Sequence, residues 1–192
     1  DSISADFTGS DFDQGRQGNF STRGGALGWS HRFSPAVSFK ATGGLRELSG
    51  QSNGVRFPSA IAPFGSLAIL WKDPTTSIAL LYQSGITPSL AFSSAAMLSH
   101  SASFSITQNT PIRDLVGLLG ANYGVANEYG SNSGGALSWT TIGGTGGALY
   151  RVTQKMFLTL SYNYQNVDNV FGGARFAYDK HVVQLNLTQA FY

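Results

Sequence analysis

The sequence predicts an all-β fold: a transmembrane antiparallel up-and-down β-barrel of about ten strands (about eight to twelve). Three observations predict it. Apolar and polar residues alternate along most long segments, as in a pleated strand whose two faces meet different surroundings. Charged residues make up only 11% of the chain, against roughly 25% in ordinary soluble domains, while the apolar share is an average 42%. No run of about 18 apolar residues exists, so crossing a membrane requires a closed barrel, the other structure that satisfies every backbone amide in lipid.

Ser, Thr, Asn, Gln and Gly supply the polarity that charge would otherwise provide. The 24 glycines among 192 residues far exceed the usual share of about 7%. This length fits one domain, residues 1–192. No secretory leader pattern is visible, so the sequence reads as a mature chain or as part of something longer, including the C-terminal part of a larger barrel. Cysteine is absent, which excludes disulfides and thiolate metal sites and suits an exported protein. A net charge of +2, with the basic residues dispersed, gives no reason to expect a nucleic-acid partner.

The strands follow in order. Ile3, Ala5 and Phe7 alternate with Ser4, Asp6 and Thr8. Leu27, Trp29 and Phe33 oppose Ala26, Gly28, Ser30 and Arg32, and Ser34-Pro35-Ala36 turns the chain. Val37, Phe39, Ala41 and Leu45 then oppose Ser38, Lys40, Thr42 and Arg46. Leu67, Ile69 and Trp71 lead through Lys72-Asp73-Pro74-Thr75 into Ile78, Leu80 and Tyr82. Leu98, Ala102, Phe104 and Ile106 turn at Gln108-Asn109-Thr110-Pro111 into Leu115, Leu119, Ala121 and Tyr123. Ala148, Tyr150 and Val152 pass through Thr153-Gln154-Lys155 into Met156, Leu158, Leu160, Tyr162 and Tyr164. The phase drifts between Trp139 and Ala148, so a bulge or bend is expected across Gly143–Gly147. In the final strand Val183, Leu185, Leu187 and Phe191 oppose Val182, Gln184, Asn186 and Thr188.

Short turns near 34, 74, 110 and 154 alternate with longer Gly/Ser/Asn-rich segments at 49–62, 84–95, 125–135 and 165–174, which are expected to be loops. That asymmetry belongs to membrane barrels. A soluble sandwich or lipocalin-like barrel also alternates, but carries charge on its outward face. Here the polar face is Ser, Thr, Asn and Gly with a few Arg and Lys, which suits a lumen. Aromatics near strand ends (Trp29, Phe33, Trp71, Tyr82, Tyr123, Tyr164) suit interface girdles.

With its hairpin cadence, Arg32-Phe-Ser-Pro-Ala-Val-Ser-Phe39 and Tyr150–Tyr162, and its closing strand from Tyr178-Asp179-Lys180-His181 to Phe191-Tyr192, the chain resembles porin-like bacterial outer-membrane β-barrels. It departs from them in that Phe191 is in phase with the lipid-facing residues and Tyr192 is one step beyond. The resemblance implies a Gram-negative outer-membrane location and lipid and lipopolysaccharide as surroundings. It also implies insertion by the barrel-assembly machinery, and it is compatible with an envelope protein partner or a homo-oligomer. It carries no catalytic signature.

Nothing in the residues supports an enzyme, a cofactor or a metal. His31, His100 and His181 lie far apart and in phase with apolar neighbours. Ser101 falls on the strand face opposite His100, which argues against a Ser/His pair. Gly43-Gly44 and Gly143–Gly147 lack the Lys-Ser/Thr of a phosphate loop. The lumen-lining candidates are Arg32, Lys40, Arg46, Lys72 and Arg151, with Asp6 as counter-charge. Two functions follow. One is a channel for passive diffusion of small solutes, its mildly basic lumen favouring anions. The other is a structural or interaction barrel with a side-chain-filled lumen, whose long loops bind an envelope partner or surface ligand.

Overall fold

The computed structural model describes residues 1–13, 18–52, 55–88, 96–129, 137–171 and 173–189. Ten strands follow one another: β1 (Ser2–Asp13), β2 (Gly18–Arg32), β3 (Val37–Ser52), β4 (Val55–Lys72), β5 (Thr76–Pro88), β6 (Ala96–Asn109), β7 (Leu115–Tyr129), β8 (Ser138–Thr153), β9 (Met156–Phe171) and β10 (Ala174–Gln189). Each pairs antiparallel with the next in a single sheet ordered β1 to β10. Among the described residues β1 and β10 are its two edges, and no ladder joins them. No helix of the described chain is long and apolar enough to cross a membrane.

The short connections form where the sequence places turn residues. The Ser34 Oγ accepts hydrogen bonds from the N–H groups of Ala36 (3.2 Å) and Val37 (3.1 Å). Asp73 Oδ1 accepts from the N–H groups of Thr75 (2.7 Å) and Thr76 (2.6 Å) and from the Thr75 hydroxyl (3.0 Å). These bonds, led by the Thr75 and Thr76 amides, hold the Asp73 carboxyl below its ordinary pKa. Between β6 and β7, Asp114 takes a left-handed conformation (φ 63°), which Asp tolerates better than most side chains.

Three expectations need correction. Segments 49–62 and 165–174 are largely strand: β3 runs to Ser52, β4 starts at Val55, β9 runs to Phe171 and β10 starts at Ala174. Their polar and apolar residues follow no clean period of two, so no alternation marks them, yet the ladders continue. Strands of 12–18 residues exceed the roughly 9–11 needed to cross a bilayer. Of 84–95 and 125–135, residues 84–88 and 125–129 are strand and the remainder lies outside the described residues. Of the bulge or bend expected across Gly143–Gly147, the bulge is absent, and the close approach of Gly147 to Leu160 fits the bend. The β7–β8 ladder runs unbroken through these residues, and the register shifts fall instead at Leu48/Gly50 and Arg151/Thr153. The apparent drift arises because Trp139 sits on the polar face, paired with Ala126. The terminal Phe191 and Tyr192 lie outside the described residues.

Register shows that one face is shared throughout. Cross-strand partners stand on the same side of a sheet. The row Ile3–Trp29–Ala41–Leu67–Tyr82–Ala102–Tyr123–Ile142 therefore places the apolar sets of eight strands together. The opposite row, Ser4–Gly28–Thr42–Ser66–Gln83–Ser101–Gly124–Thr141, is polar or small.

Glycines report the curvature. On the polar face, a Cβ at Gly44 would lie 2.1 Å from the Gly25 carbonyl oxygen, and one at Gly147 would lie 2.7 Å from that of Leu160. Gly43 and Gly146, their neighbours on the apolar face, have nothing within 4 Å. Backbone crowds in on the polar side and opens on the apolar side, so at these places the sheet curls with its polar face concave. Gly65 is the exception, an apolar-face glycine 2.9 Å from the Thr42 carbonyl. It marks a split, since β4 and β5 pair only from Lys72↔Ser77 to Gly65↔Ser84. Beyond it Ile86 packs with Leu48 and Ala62 in a small buried cluster, flanked by Ala60 and Leu98.

Candidate functional site

The apolar face is exposed along its length. Ile3 is 83% accessible, Val183 70% and Leu185 66%, with Leu27, Leu45, Leu119 and Leu160 also exposed. A continuous apolar surface of that extent needs a non-aqueous neighbour. On β9–β10 it ends abruptly. Above Leu160 and Val183, the Tyr162 hydroxyl pairs with His181 Nδ1 at 2.7 Å. Asp179 Oδ1 accepts from Tyr164 Oη and Asn166 Nδ2, both at 2.9 Å, and Arg175 holds Asp168 through two nitrogens. Tyr82 and His100 repeat the Tyr–His contact on β5–β6 at 2.8 Å. The third histidine, His31, pairs with Asp1 and packs edge-on against Phe33. Each histidine thus has an aromatic neighbour on the apolar face, and Ser101 stands on the other side of the sheet from His100. Among the described residues no group of three or more His, Asp or Glu is placed to hold a metal ion.

The six lumen candidates all fall on the concave polar face. Arg32 lies at the short-turn end of β2, donating to the Ser34 (3.3 Å) and Pro35 (2.9 Å) carbonyls. Lys40 stands between Ser30 and Ala68, and Lys72 opposite Ser77, within a few residues of the same end. Arg151, at the short-turn end of β8, lies 3.7 Å from Asp114. Arg46 sits higher, between Gly24 and Ala62, with its guanidinium 4.6 Å from the Phe64 ring centroid. Asp6 is opposite Ala26 and takes a hydrogen bond from Ser4 (3.4 Å), and it joins no ion pair among the described residues. Among the described residues the carboxylate beside a candidate cation is Asp114, 3.7 Å from Arg151.

The polar face also carries residues that the alternation alone did not single out. Trp139 (49% exposed), Phe176 (57%) and Tyr178 (54%) lie on it, toward the ends of β8 and β10 remote from the turns near 34, 74, 110 and 154. Beside them is a groove of about 400 Å³ lined by Ser99, Ser101, Asn122, Trp139, Thr141 and Gln165 among others. Parity counted back from Ile142 was the available signal for Trp139.

An antiparallel meander with one apolar, exposed, convex face and one polar, concave face defines a membrane β-barrel wall. Residues 51–191, most of the chain, match the family described as "Putative beta-barrel porin 2", and the chain belongs to that family. No curated protein matches it.

Proposed function

We propose that the chain forms an outer-membrane channel through which small solutes diffuse passively, with a mildly basic lumen that favours anions. The observation that carries this reading is the segregation of the faces. All five basic candidates share the concave side with Ser, Thr, Asn and Gly and with a few leucines such as Leu70 and Leu81, while most of the exposed aliphatic residues, from Ile3 to Leu187, share the convex side. In this reading the convex face meets outer-membrane lipid and lipopolysaccharide, and insertion proceeds through the barrel-assembly machinery. Lipid tolerates no open ladder, so the β1 and β10 edges must be met. Both strands have their outer chain ends on the short-turn side, β1 beginning opposite Ser30 and β10 finishing opposite Met156. Antiparallel pairing of the two therefore keeps Ile3 and Phe7 on the side of Val183 and Leu185. Eight strands give an interior just filled by side chains. Ten strands make a wider barrel, and the many Gly, Ala, Ser and Thr residues on the concave face support a reading with room for water.

Planar-bilayer conductance tests the reading. Folded protein should open ion-conducting pores with a reversal potential displaced toward that of the anion. A folded, inserted barrel that never conducts would overturn the channel and favour a filled interaction barrel.

A further inference from the structure

We propose that Trp139, Phe176, Tyr178 and the adjoining groove form a binding track for neutral oligosaccharides on the lumen wall. This rests on the channel reading and names a solute class for it.

The three rings require an explanation because they stand on the wrong face for a lipid girdle. Trp139 pairs across the ladder with Asn169, and Asn169 with Phe176, so the two rings flank Asn169 on three adjacent strands. Two inter-strand steps separate them by about 10 Å. Tyr178 follows Phe176 on the same face, opposite Val167. An aromatic face carries a negative quadrupole and packs well on weakly positive, apolar C–H groups. A pyranose ring offers such a C–H face, with its hydroxyls around the rim. Trp139 is part of the groove's lining, while Phe176 and Tyr178 stand outside it, two strands from Trp139. The groove answers the rim with the hydroxyls and amides of Ser99, Ser101, Asn122, Thr141 and Gln165, and its lining also includes His100 and no Asp, Glu, Lys or Arg.

A second observation points to the same place. Among the described residues, two buried side-chain oxygens lack a hydrogen-bond partner, Thr141 Oγ1 and Asn169 Oδ1. Both belong to this patch. Thr141 is 5% exposed and shares its strand face with Trp139, and Asn169 lies between the two large rings. Buried polar groups are normally satisfied, and ones left open call for a partner. Both oxygens are covered, so a hydroxyl-rich solute supplies their donors as the side chains over them give way. Charge argues against an ionic solute here. The nearest charges on this face are Lys180, opposite Gln165, and Glu128, opposite Met97, one of each sign at opposite margins of the patch. The basic cluster of Arg32, Lys40 and Lys72 sits at the other end of β2–β4.

The test is block of ion current by maltohexaose in planar bilayers, beside equilibrium binding of maltohexaose to the detergent-folded barrel. Wild-type current should fall with sugar concentration. Trp139→Ala should raise the half-blocking concentration at least tenfold, with each pore's block read against its own unblocked current. Trp139→Phe should restore most of the affinity, and Phe176→Ala should weaken it independently of how Trp139→Ala folds. Pores that conduct but are never blocked, or are blocked equally after Trp139→Ala, would overturn the track and leave the channel standing. If the folded barrel does not conduct, the channel fails, and the binding measurement decides the track: affinity lost in Trp139→Ala supports it, and no affinity in wild type overturns it.

Discussion

The two faces of this sheet have nearly the same number of residues and opposite tolerances. On the convex face the side chains are large, aliphatic or aromatic, and exposed, and glycines such as Gly43 and Gly146 look into open space. On the concave face small and polar side chains are interleaved with fewer large ones, such as Leu70, Leu81, Leu118 and Trp139, and Gly44 and Gly147 are pressed against the neighbouring strand's backbone. The difference teaches that alternation in such a chain records two solvents, and that the small residues record which way the sheet bends.

The largest contrast should come from charge. Leu185→Arg, in the middle of the β10 apolar run, should destabilise the lipid-inserted barrel by about 2–4 kcal/mol, whereas Gln184→Arg, its neighbour on the polar face, should cost little. Denaturant titration of folding into lipid vesicles measures both. If the two cost the same, the faces are not distinct environments.

Volume gives the next contrast. Gly44→Val must displace backbone that a Cβ would meet at 2.1 Å, and about 1–3 kcal/mol of overpacking strain is expected. Gly43→Val adds its methyls where nothing lies within 4 Å and should be near neutral. The same titration checks the pair.

Function should follow the concave face alone. Lys40→Glu should move the reversal potential toward the cation's, and Glu at both Lys40 and Lys72 should move it further. Arg23→Glu, on the convex side opposite Gly9 and Glu47, should leave it unchanged.

The smallest effect lies outside both faces, in the Asp73 turn. Its carboxyl is held below the ordinary value, so its contribution is fully present above the unfolded-state pKa and is lost as pH falls through the folded-state value. Asp73→Ala should flatten that acid limb of the folding curve and leave stability at neutral pH only slightly reduced.

Much of this was legible in the residues. Wherever one face is apolar and exposed, as from Val37 to Leu45 or from Met156 to Tyr164, the period of two is unbroken and the strand reads directly. The turns at Ser34 and Asp73 read because their oxygens cap backbone amides. The strand ends did not read, because segments such as Asn163–Phe171 follow no clean period of two and pair without alternating. Trp139 misled for a related reason, since a large ring on the polar side looks like a slip of phase. Nor does sequence alone say that Asp114, held at φ 63° in a turn, reaches Arg151.

Single-cysteine labelling tests the central claim most directly, because the chain has no cysteine of its own. Cysteines placed one at a time at Lys40, Asn122, Gln184, Leu45, Ile142 and Leu185 would be exposed, in the membrane-inserted barrel, to a charged, water-soluble maleimide. Rapid labelling is expected at Lys40, Asn122 and Gln184, and protection at Leu45, Ile142 and Leu185 until detergent strips the lipid away. Labelling of the two sets at equal rates, or in the reverse order, would contradict it.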